Sequence, residues 1–356
     1  MRILFDGYWW SRGPLANRSV QRDIISTWSE DYPEDELVVA LRRGDEAIEG
    51  LPARVDVVRT RLWPHALSNV AELPRLARRA RAELVIAHNY TPLTRRCATF
   101  IHDAMFIEHP EWFSLRERLY FWPMLPTARW AAHVFTSSGA EAERIRRDSR
   151  GRLRVTPIGL GVPQSLTAAE PQRPAGVPDG GFALCVGRLN IRKNLAAVIH
   201  GAVESTSIGP GHPLLVVGSA EYSGRVAEVP TEFRAAVLDG SVRFLGRVSD
   251  PELAWLYRHA ALAITLSLDE GFGLPAVEAA VFGAPLVASD IAVFRETVGG
   301  YADFVDPLGG GSAVAAAIDA RWGRVPGSGA RATILEHYSW SAVVGRLRQA
   351  VLIRSS

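Results

Sequence analysis

The feature that most constrains this chain is a sustained alternation of short β-rich apolar runs with stretches of helical periodicity. Runs at 2–6, 36–41, 55–60, 83–88, 99–103 and 133–137 are dominated by aliphatic and aromatic residues, which suits parallel strands covered on both faces. Between them, 17–30, 68–82 and 139–148 read as helices, the last opened by the capping signal Ser137-Ser138-Gly139. A second series of runs follows at 182–187, 213–218, 242–246, 261–267, 284–289 and 302–306. Helical patterns at 193–204, 250–260 and 275–282 separate its members. Such a βαβ series implies doubly wound parallel sheets. Pro171, Pro174 and Pro178 interrupt the alternation, with Gly176, Gly180 and Gly181 beside them. The expected organisation is a Rossmann-like domain over 1–165, a linker over 166–181 and a second Rossmann-like domain over 182–337. A C-terminal helix over 338–356 is expected to pack back towards the first domain.

The chain has 356 residues, 47% hydrophobic and 22% charged, enough for two packed cores and too apolar for a disordered chain. Its net charge of +2 gives no reason to expect nucleic acid as a partner. Residues 1–165 hold 24 Arg against 20 acids, a mild basic excess that leaves peripheral contact with an anionic membrane open. Cys97 and Cys185 are too few and too far apart for a disulfide framework or a zinc site. No apolar run approaches the roughly 20 residues of a membrane span. The opening MRILFDGYWW reads as a strand rather than a signal peptide. A cytoplasmic protein is expected, with room for a peripheral role at the inner membrane face. Of the 40 basic residues 39 are Arg, and the single Lys is Lys193. In so biased a chain, the one Lys marks a place where Arg does not serve.

Chemistry concentrates at the strand ends of the second series. In LSLDEGFGLPAVEAAVFGAPLVAS (266–289) a strand ends at Ser267 and Glu270 follows in a turn. Gly271-Phe272-Gly273 then frees the backbone to approach a ligand, and Pro275 suits the first residue of a helix. The N–H groups near Gly273 and Leu274, with the helix dipole, make a site for an anion such as phosphate. Glu278, expected in the first turn of that helix, is placed to accept hydrogen bonds from ribose hydroxyls. A carboxylate there also stabilises a helix without any ligand. In VGRLNIRKNL (186–195), Arg188 and Lys193 lie five apart around a turn and can neutralise a diphosphate, while Asn194 is available to cap the next helix. Arg192 reads as part of a solvated basic loop.

These strings resemble glycosyltransferase family 4 of the GT-B fold, over most of residues 180–345. The resemblance rests on E-x7-E from Glu270 to Glu278 with G-F-G-L-P between, and on G-R-L-x-x-x-K-N-L. It implies two Rossmann-like domains facing across a cleft, with donor binding by the second. Arg188 and Lys193 would then bind the diphosphate and Glu278 the ribose. Glu270 would contact the donor sugar, aided by the backbone of Gly271, Phe272, Gly273 and Leu274. VRFLGRVSDPELAWLYRHA (242–260) resembles the family's base-binding segment, with Gly246, Arg247 and Val248 facing the nucleobase. The resemblance also implies retention of anomeric configuration.

The first domain departs further from the family. In TFIHDAMFIEHPEWF (99–113), His102 and Asp103 end a strand and are candidates to bind sugar hydroxyls or shuttle a proton. The loop DGYWWSRGPLANRS (6–19) has no Gly-Gly pair, but offers Gly13 and the aromatic Trp9 and Trp10 to an acceptor, either as sugar platforms or as loop packing. Segment 114–135, aromatic and basic, reads as a helix pair in the core, with a lipid-facing surface as the alternative. The arginines of 72–84 read as a solvated helix face.

No Asp-x-Asp occurs in the chain, so no metal is expected to hold the diphosphate, and no cofactor is expected beyond the nucleotide sugar itself. Arg188, Lys193 and a helix N-terminus would stabilise the leaving diphosphate, with His102, Asp103 and Glu270 completing the catalytic set. The expected activity is transfer of a hexose or deoxyhexose, GDP-mannose favoured, to a glycan or lipid-linked acceptor. The competing classes are a catalytically silent sugar-binding protein and a nucleotide-sugar epimerase on the same fold. A pyridoxal-phosphate phosphorylase would need a second Lys, and a dinucleotide oxidoreductase a G-x-G-x-x-G after the first strand.

Overall fold

The structure, a computed structural model, describes residues 1–44, 50–94, 96–178, 181–219, 231–325 and 327–353, with the backbone alone at Leu15 and Ala16. The chain forms two compact units. The first comprises Met1–Pro110, Ser114–Pro163 and Tyr338–Ser356, the second Glu111–Phe113 and Gln164–His337. Two parts of the sequence reading, Asp179-Gly180 of the linker and Arg354–Ser356 of the last helix, lie outside the described residues.

The first unit carries the strands β1 (Arg2–Asp6), β2 (Glu36–Arg42), β3 (Asp56–Thr60), β4 (Leu84–His88), β5 (Cys97–Ile101), β6 (His133–Thr136) and β7 (Val155–Pro157). They form one parallel sheet in the order β3-β2-β1-β4-β5-β6-β7. Leu4, Val38, Ala40, Val85 and Ala87 of this sheet pack on Leu73, Leu76 and Ala77 of the Leu73–Ala80 helix. The periodicity over 68–82 resolves into a π-turn over Ser68–Glu72, which continues a short α-turn at His65–Leu67, and then that helix. Arg75, Arg78, Arg79 and Arg81 are exposed, the solvated face that their spacing predicts. The strand β7 escapes sequence reading because it is three residues long, mostly exposed and ends in proline.

The Trp340–Leu352 helix belongs to this unit and lies against the Leu15–Asp31 helix. Its Trp340 Nε1 donates to the Val162 carbonyl at 2.8 Å, and Arg348 reaches Asp35 at 2.8 Å. Segment 114–135 departs from the expected core pair. The Leu115–Phe121 helix buries none of its residues, and of the helical part Met124, Leu125, Thr127 and Ala128 of the next helix, Met124–Ala128, are buried.

The second unit carries β8 (Ala183–Val186), β9 (Leu214–Val217), β10 (Val242–Gly246), β11 (Leu262–Thr265), β12 (Leu286–Ser289) and β13 (Asp303–Val305), parallel in the order β10-β9-β8-β11-β12-β13. Leu195, Val198, Ile199 and Ala202 of the Leu195–Glu204 helix cover one face of the sheet, with Val314 and Ile318 packed beside them. The segment read as a linker packs on this unit: Gln172 N–H donates to the Pro251 carbonyl at 3.0 Å, and the Arg173 guanidinium lies over the Trp255 ring.

Each sheet reverses strand order beside its first strand, between β1 and β4 and between β8 and β11. At such a switch point the loops leave in opposite directions and open a crevice at the strand ends, where ligands of open α/β sheets bind. In the second unit the strand ends also approach very closely. Gly218 has φ +144, and a Cβ there would lie 1.8 Å from the Gly187 carbonyl oxygen. Gly218→Ala is therefore expected to destabilise the protein by about 2 kcal/mol or more. Gly329→Ala, in the Ser328–His337 helix with open space at its Cβ position, is expected to be neutral or to stabilise by about 0.5–1 kcal/mol. Equilibrium denaturation of both variants checks the pair, and equal effects would contradict the packing.

Candidate active site

After β8 the chain passes Gly187, Arg188 and Leu189 and enters a 3-10 turn over Ile191–Lys193. Asn190 caps that turn, its side chain accepting the Lys193 N–H at 3.3 Å. Gly187 has φ +156, and a Cβ on it would stand 3.1 Å from Lys193 Cε, so the glycine leaves the lysine stem its path back across the strand end. Asn194, expected to cap the following helix, sits in the left-handed region with φ 50 and makes no side-chain cap. Its Nδ2 instead donates to the Pro307 carbonyl at 2.9 Å.

The lysine stem ends at a carboxylate supplied by the turn after β11. Lys193 Nζ lies 2.5 Å from Glu270 Oε1, and Arg192 Nη1 lies 2.7 Å from Glu270 Oε2. Arg192 is thus no solvated bystander: a buried carboxylate with one cation on Oε1 draws a second to Oε2. Ser267 Oγ donates to Glu270 Oε1 at 2.8 Å, and Ser289 Oγ from the end of β12 donates to the Ser267 carbonyl at 2.7 Å. The Leu268 N–H donates to the Arg192 carbonyl at 2.8 Å, so backbone as well as side chains join the two loops. Burial opposes the ionisation of Glu270, but Arg192 and Lys193 outweigh it and bring its pKa down to about 2. Beside this cluster a pocket opens, lined by Gly187, Arg188, Lys193, Val216, Thr265 and Ser267 among others.

Gly271 and Phe272 continue from Glu270 to Gly273, the N-cap of the Leu274–Phe282 helix, with φ 84. A Cβ on Gly273 would meet the Phe294 ring at 2.3 Å, so glycine is required by both conformation and space. The helix begins at Leu274, which puts Pro275 at its second position and Glu278 in its second turn rather than its first. Glu278 is buried and accepts the Tyr257 hydroxyl at 2.8 Å. Burial pushes its pKa up to about 7 despite that bond and the nearby Lys193. Tyr257 was not singled out by sequence, although it lies in the 242–260 string; its helix, Asp250–His259, is set by a Ser249/Glu252 capping box. At the end of β10, Gly246 has φ +67 and accepts the Gly218 N–H at 2.8 Å; Arg247 is exposed and Val248 half-buried.

The first unit holds a second cluster. Asp6, at the end of β1, is buried and its Oδ2 receives His65 Nε2 and Asn69 Nδ2, each at 2.9 Å, and the His88 N–H at 3.2 Å. Its Oδ1 accepts the Tyr8 N–H at 2.9 Å. Burial opposes the charge, yet His65, His88 and Asn69 hold Asp6 well below the ordinary carboxylate range. His88 Nδ1 lies 3.3 Å from His102 Nε2. Burial lowers the pKa of His88 to about 4 and that of His102 well below its ordinary value, so both rings are neutral near pH 7 and one donates to the other. Asp103 follows, half-buried. Trp10 is fully buried and has no face to offer a sugar. Trp9 is half-buried and packs on Gly13, where a Cβ would lie 2.2 Å from its ring. Sequence reasoning missed Asp6, His65, Asn69 and His88; the polar residues ending β1 and β4 were the available signal.

Residues 169–307 match the family model described as glycosyl transferases group 1. The chain is 27% identical to the O-antigen chain mannosyltransferase RfbU of Salmonella typhimurium over 62% of its own length and 59% of that protein's. It thus spans about three fifths of the length of that relative. Sucrose-phosphate synthase of Thermosynechococcus elongatus superposes with a TM-score of 0.70 at 18% identity, covering 98% of each chain. Anabaena Alr3699/HepE in complex with UDP-glucose does so with a TM-score of 0.69 at 19% identity, covering 99% of each. Among the described residues no helix is long and apolar enough to cross a membrane. The segment similar to group 1 glycosyl transferases lies within the second unit, and the two parallel-sheet units give the chain the GT-B fold of these structures.

Proposed function

We propose that the protein is a retaining, metal-independent glycosyltransferase that takes a hexose or deoxyhexose from a nucleotide diphosphate sugar. The observation that carries this reading is the cluster of Lys193, Arg192 and Glu270 at the switch point of the second unit, beside the pocket reached by Arg188. Arg188 and Lys193 bind the diphosphate and offset its charge as it leaves, and the backbone from Gly271 to Leu274 adds N–H donors at a helix N-terminus. Glu270 orients the donor sugar through its hydroxyls, Glu278 holds the ribose, and Gly246, Arg247 and Val248 line the base. His102 and Asp103 handle hydroxyls from the first unit. With no acidic pair of the Asp-x-Asp kind in the sequence, the chain's own cations take the place of a metal. The leaving phosphate accepts the acceptor's proton in a front-face attack. The Salmonella relative's name, an O-antigen chain mannosyltransferase, favours a mannose donor, which we take as GDP-mannose, and a glycan chain as acceptor; the UDP-glucose of the Anabaena structure names the rival donor.

Lys193→Ala is expected to reduce nucleotide diphosphate release by roughly 10²–10³-fold, the range for losing one donor at a developing charge. Near-normal turnover would remove Lys193 from the reaction. A thermal-shift panel of GDP, UDP and dTDP is expected to give its largest stabilisation with GDP. Slow hydrolysis of the preferred nucleotide sugar without acceptor separates an enzyme from a silent binder.

Glu278 adds a dependence on pH. Ribose hydroxyls donate to the ionised carboxylate, so nucleotide affinity is expected to rise as pH passes upward through about 7. Without ligand the sign reverses. The folded protein holds the proton on Glu278 between pH 4.5 and about 7 while the unfolded chain has lost it. Stability from this group therefore falls as pH rises across that window, by on the order of 3 kcal/mol. Glu278→Gln is expected to flatten both profiles, and an unchanged binding profile in that variant would dismiss the ribose role.

A further inference from the structure

Three helices share a serine N-cap with a glutamate three positions on: Ser114 with Glu117, Ser249 with Glu252, and Ser138 with Glu141. In the first two the glutamate returns to the backbone of its own cap, the closed box that this spacing favours. The third takes another course. Ser138 Oγ accepts the Glu141 N–H at 3.1 Å, but the fully buried Glu141 carboxylate reaches out of its helix. Its Oε1 accepts the Ala104 N–H at 2.8 Å, 37 positions upstream, and its Oε2 pairs with Arg144.

Ala104 ends the turn that carries His102 and Asp103 away from β5. β5 and β6 pair with Ile101 beside Thr136, so His102 and Ser137 leave the sheet as neighbours, and Ser137 Oγ donates to the His102 carbonyl at 3.1 Å. The His88 ring stands against that of His102. Beyond Ala104, the Met105–Glu108 helix is fixed at its far end, where Glu108 receives Arg144 Nε at 2.8 Å and pairs with Arg147. Arg144 thus joins Glu141 to Glu108, and the Gly139–Asp148 helix fastens the chain at both 104 and 108. Burying a charge is opposed by desolvation, and an apolar side chain could fill the same space without that cost. Only an acceptor can satisfy the Ala104 N–H, two residues from His102.

We propose that Glu141 is a positioning residue: through the Ala104 N–H it fixes the direction in which His102 and Asp103 present their side chains. Its weight for the reaction rests on the reading above, in which those two residues handle sugar hydroxyls. Without the carboxylate the turn is held at the His102 carbonyl and at Glu108, with nothing from the Gly139–Asp148 helix on Ala104 between them. A displacement of about 1 Å in a group that orients a reactant lowers turnover about 10²-fold. Nucleotide binding, assigned to the second unit, does not depend on this turn.

Two readouts on the full chain test this. The first is release of GDP from GDP-mannose, or of UDP from UDP-glucose if the thermal-shift panel selects UDP. Glu141→Ala is expected to lower it about 10–100-fold while the thermal shift given by the nucleotide diphosphate stays that of wild type. Glu141→Gln, whose amide oxygen still accepts from Ala104, is expected to remain within about threefold of wild type. Should Glu141→Ala fail to fold with Arg144 unpaired, Glu141→Met/Arg144→Met removes both charges and carries the same test. The second readout needs no activity: the His102 ring resonances in protein carrying isotope-labelled histidine, assigned by their loss in His102→Gln. They are expected to move in the variants that lack an acceptor at 141 and to keep their wild-type positions in Glu141→Gln. Unmoved His102 resonances in a folded variant without the acceptor overturn the proposal. So does wild-type turnover in that variant when His102→Gln is itself inactive. Wild-type turnover in His102→Gln, with the resonances moving as expected, removes His102 from the reaction and leaves the hold of Glu141 on the turn supported.

Discussion

Placing the Glu270 carboxylate out of water obliges the second unit to bring positive charge to it, because an unpaired buried carboxylate costs several kcal/mol. Much of the local architecture follows. Two consecutive residues of a 3-10 turn, Arg192 and Lys193, reach its two oxygens, so the turn after β8 is fixed against the turn after β11. The lysine stem can take this path because Gly187 has no side chain, and Gly187 can sit there because Gly218 admits its carbonyl. Ser267 and Ser289 extend the linkage to β12. Three strand ends are thus held by one charge, and the pocket beside them takes its shape from that arrangement.

The two carboxyls of the E-x7-E string occupy opposite electrostatic environments. Glu270 has two cations within hydrogen-bonding distance and is ionised at any ordinary pH, whereas Glu278 has a tyrosine hydroxyl and titrates near neutrality. One motif therefore supplies a permanent anion and a switchable one. Environments that separate the pKa values of like groups commonly mark a division of labour. In the reading proposed above, the permanent anion orients the sugar and holds the cations ready. The switchable one gains its charge as ribose hydroxyls and the cationic site favour it.

The sheets were legible because a strand buried on both faces must be apolar along its length, and every such run from Arg2 to Val305 became a strand. Only β7 escaped, being too short and too exposed to leave that mark. The Glu270 string was legible because its geometry is local: glycines, a proline and carboxylates within nine positions. Side-chain pairings between distant segments were not. The partners of Asp6 stand 59, 63 and 82 positions away, and Arg192 pairs 78 positions downstream. No periodicity encodes such contacts. Arg192 therefore looked like a surface charge until its buried partner reversed the reading, while Trp10, open between sugar platform and loop packing, is settled as packing by its burial.

The two buried carboxylates also show how the choice of donor sets what a site can do. Asp6 is held by an imidazole, a side-chain amide and backbone N–H groups, all short and fixed by the strands and turns that carry them. Removing any of these leaves a buried acceptor partly unsatisfied. Glu270 is held by the ends of long, flexible side chains, whose charge can be redistributed to another anion while the carboxylate keeps its Ser267 bond. In the reading proposed above, a diphosphate entering beside Arg188 would meet cations that are already largely buried and positioned, and it need only compete for them rather than assemble them. The first arrangement builds a rigid floor beneath the neutral His88 and His102 pair. The second builds an exchangeable charge, the property that a site binding and releasing a diphosphate requires.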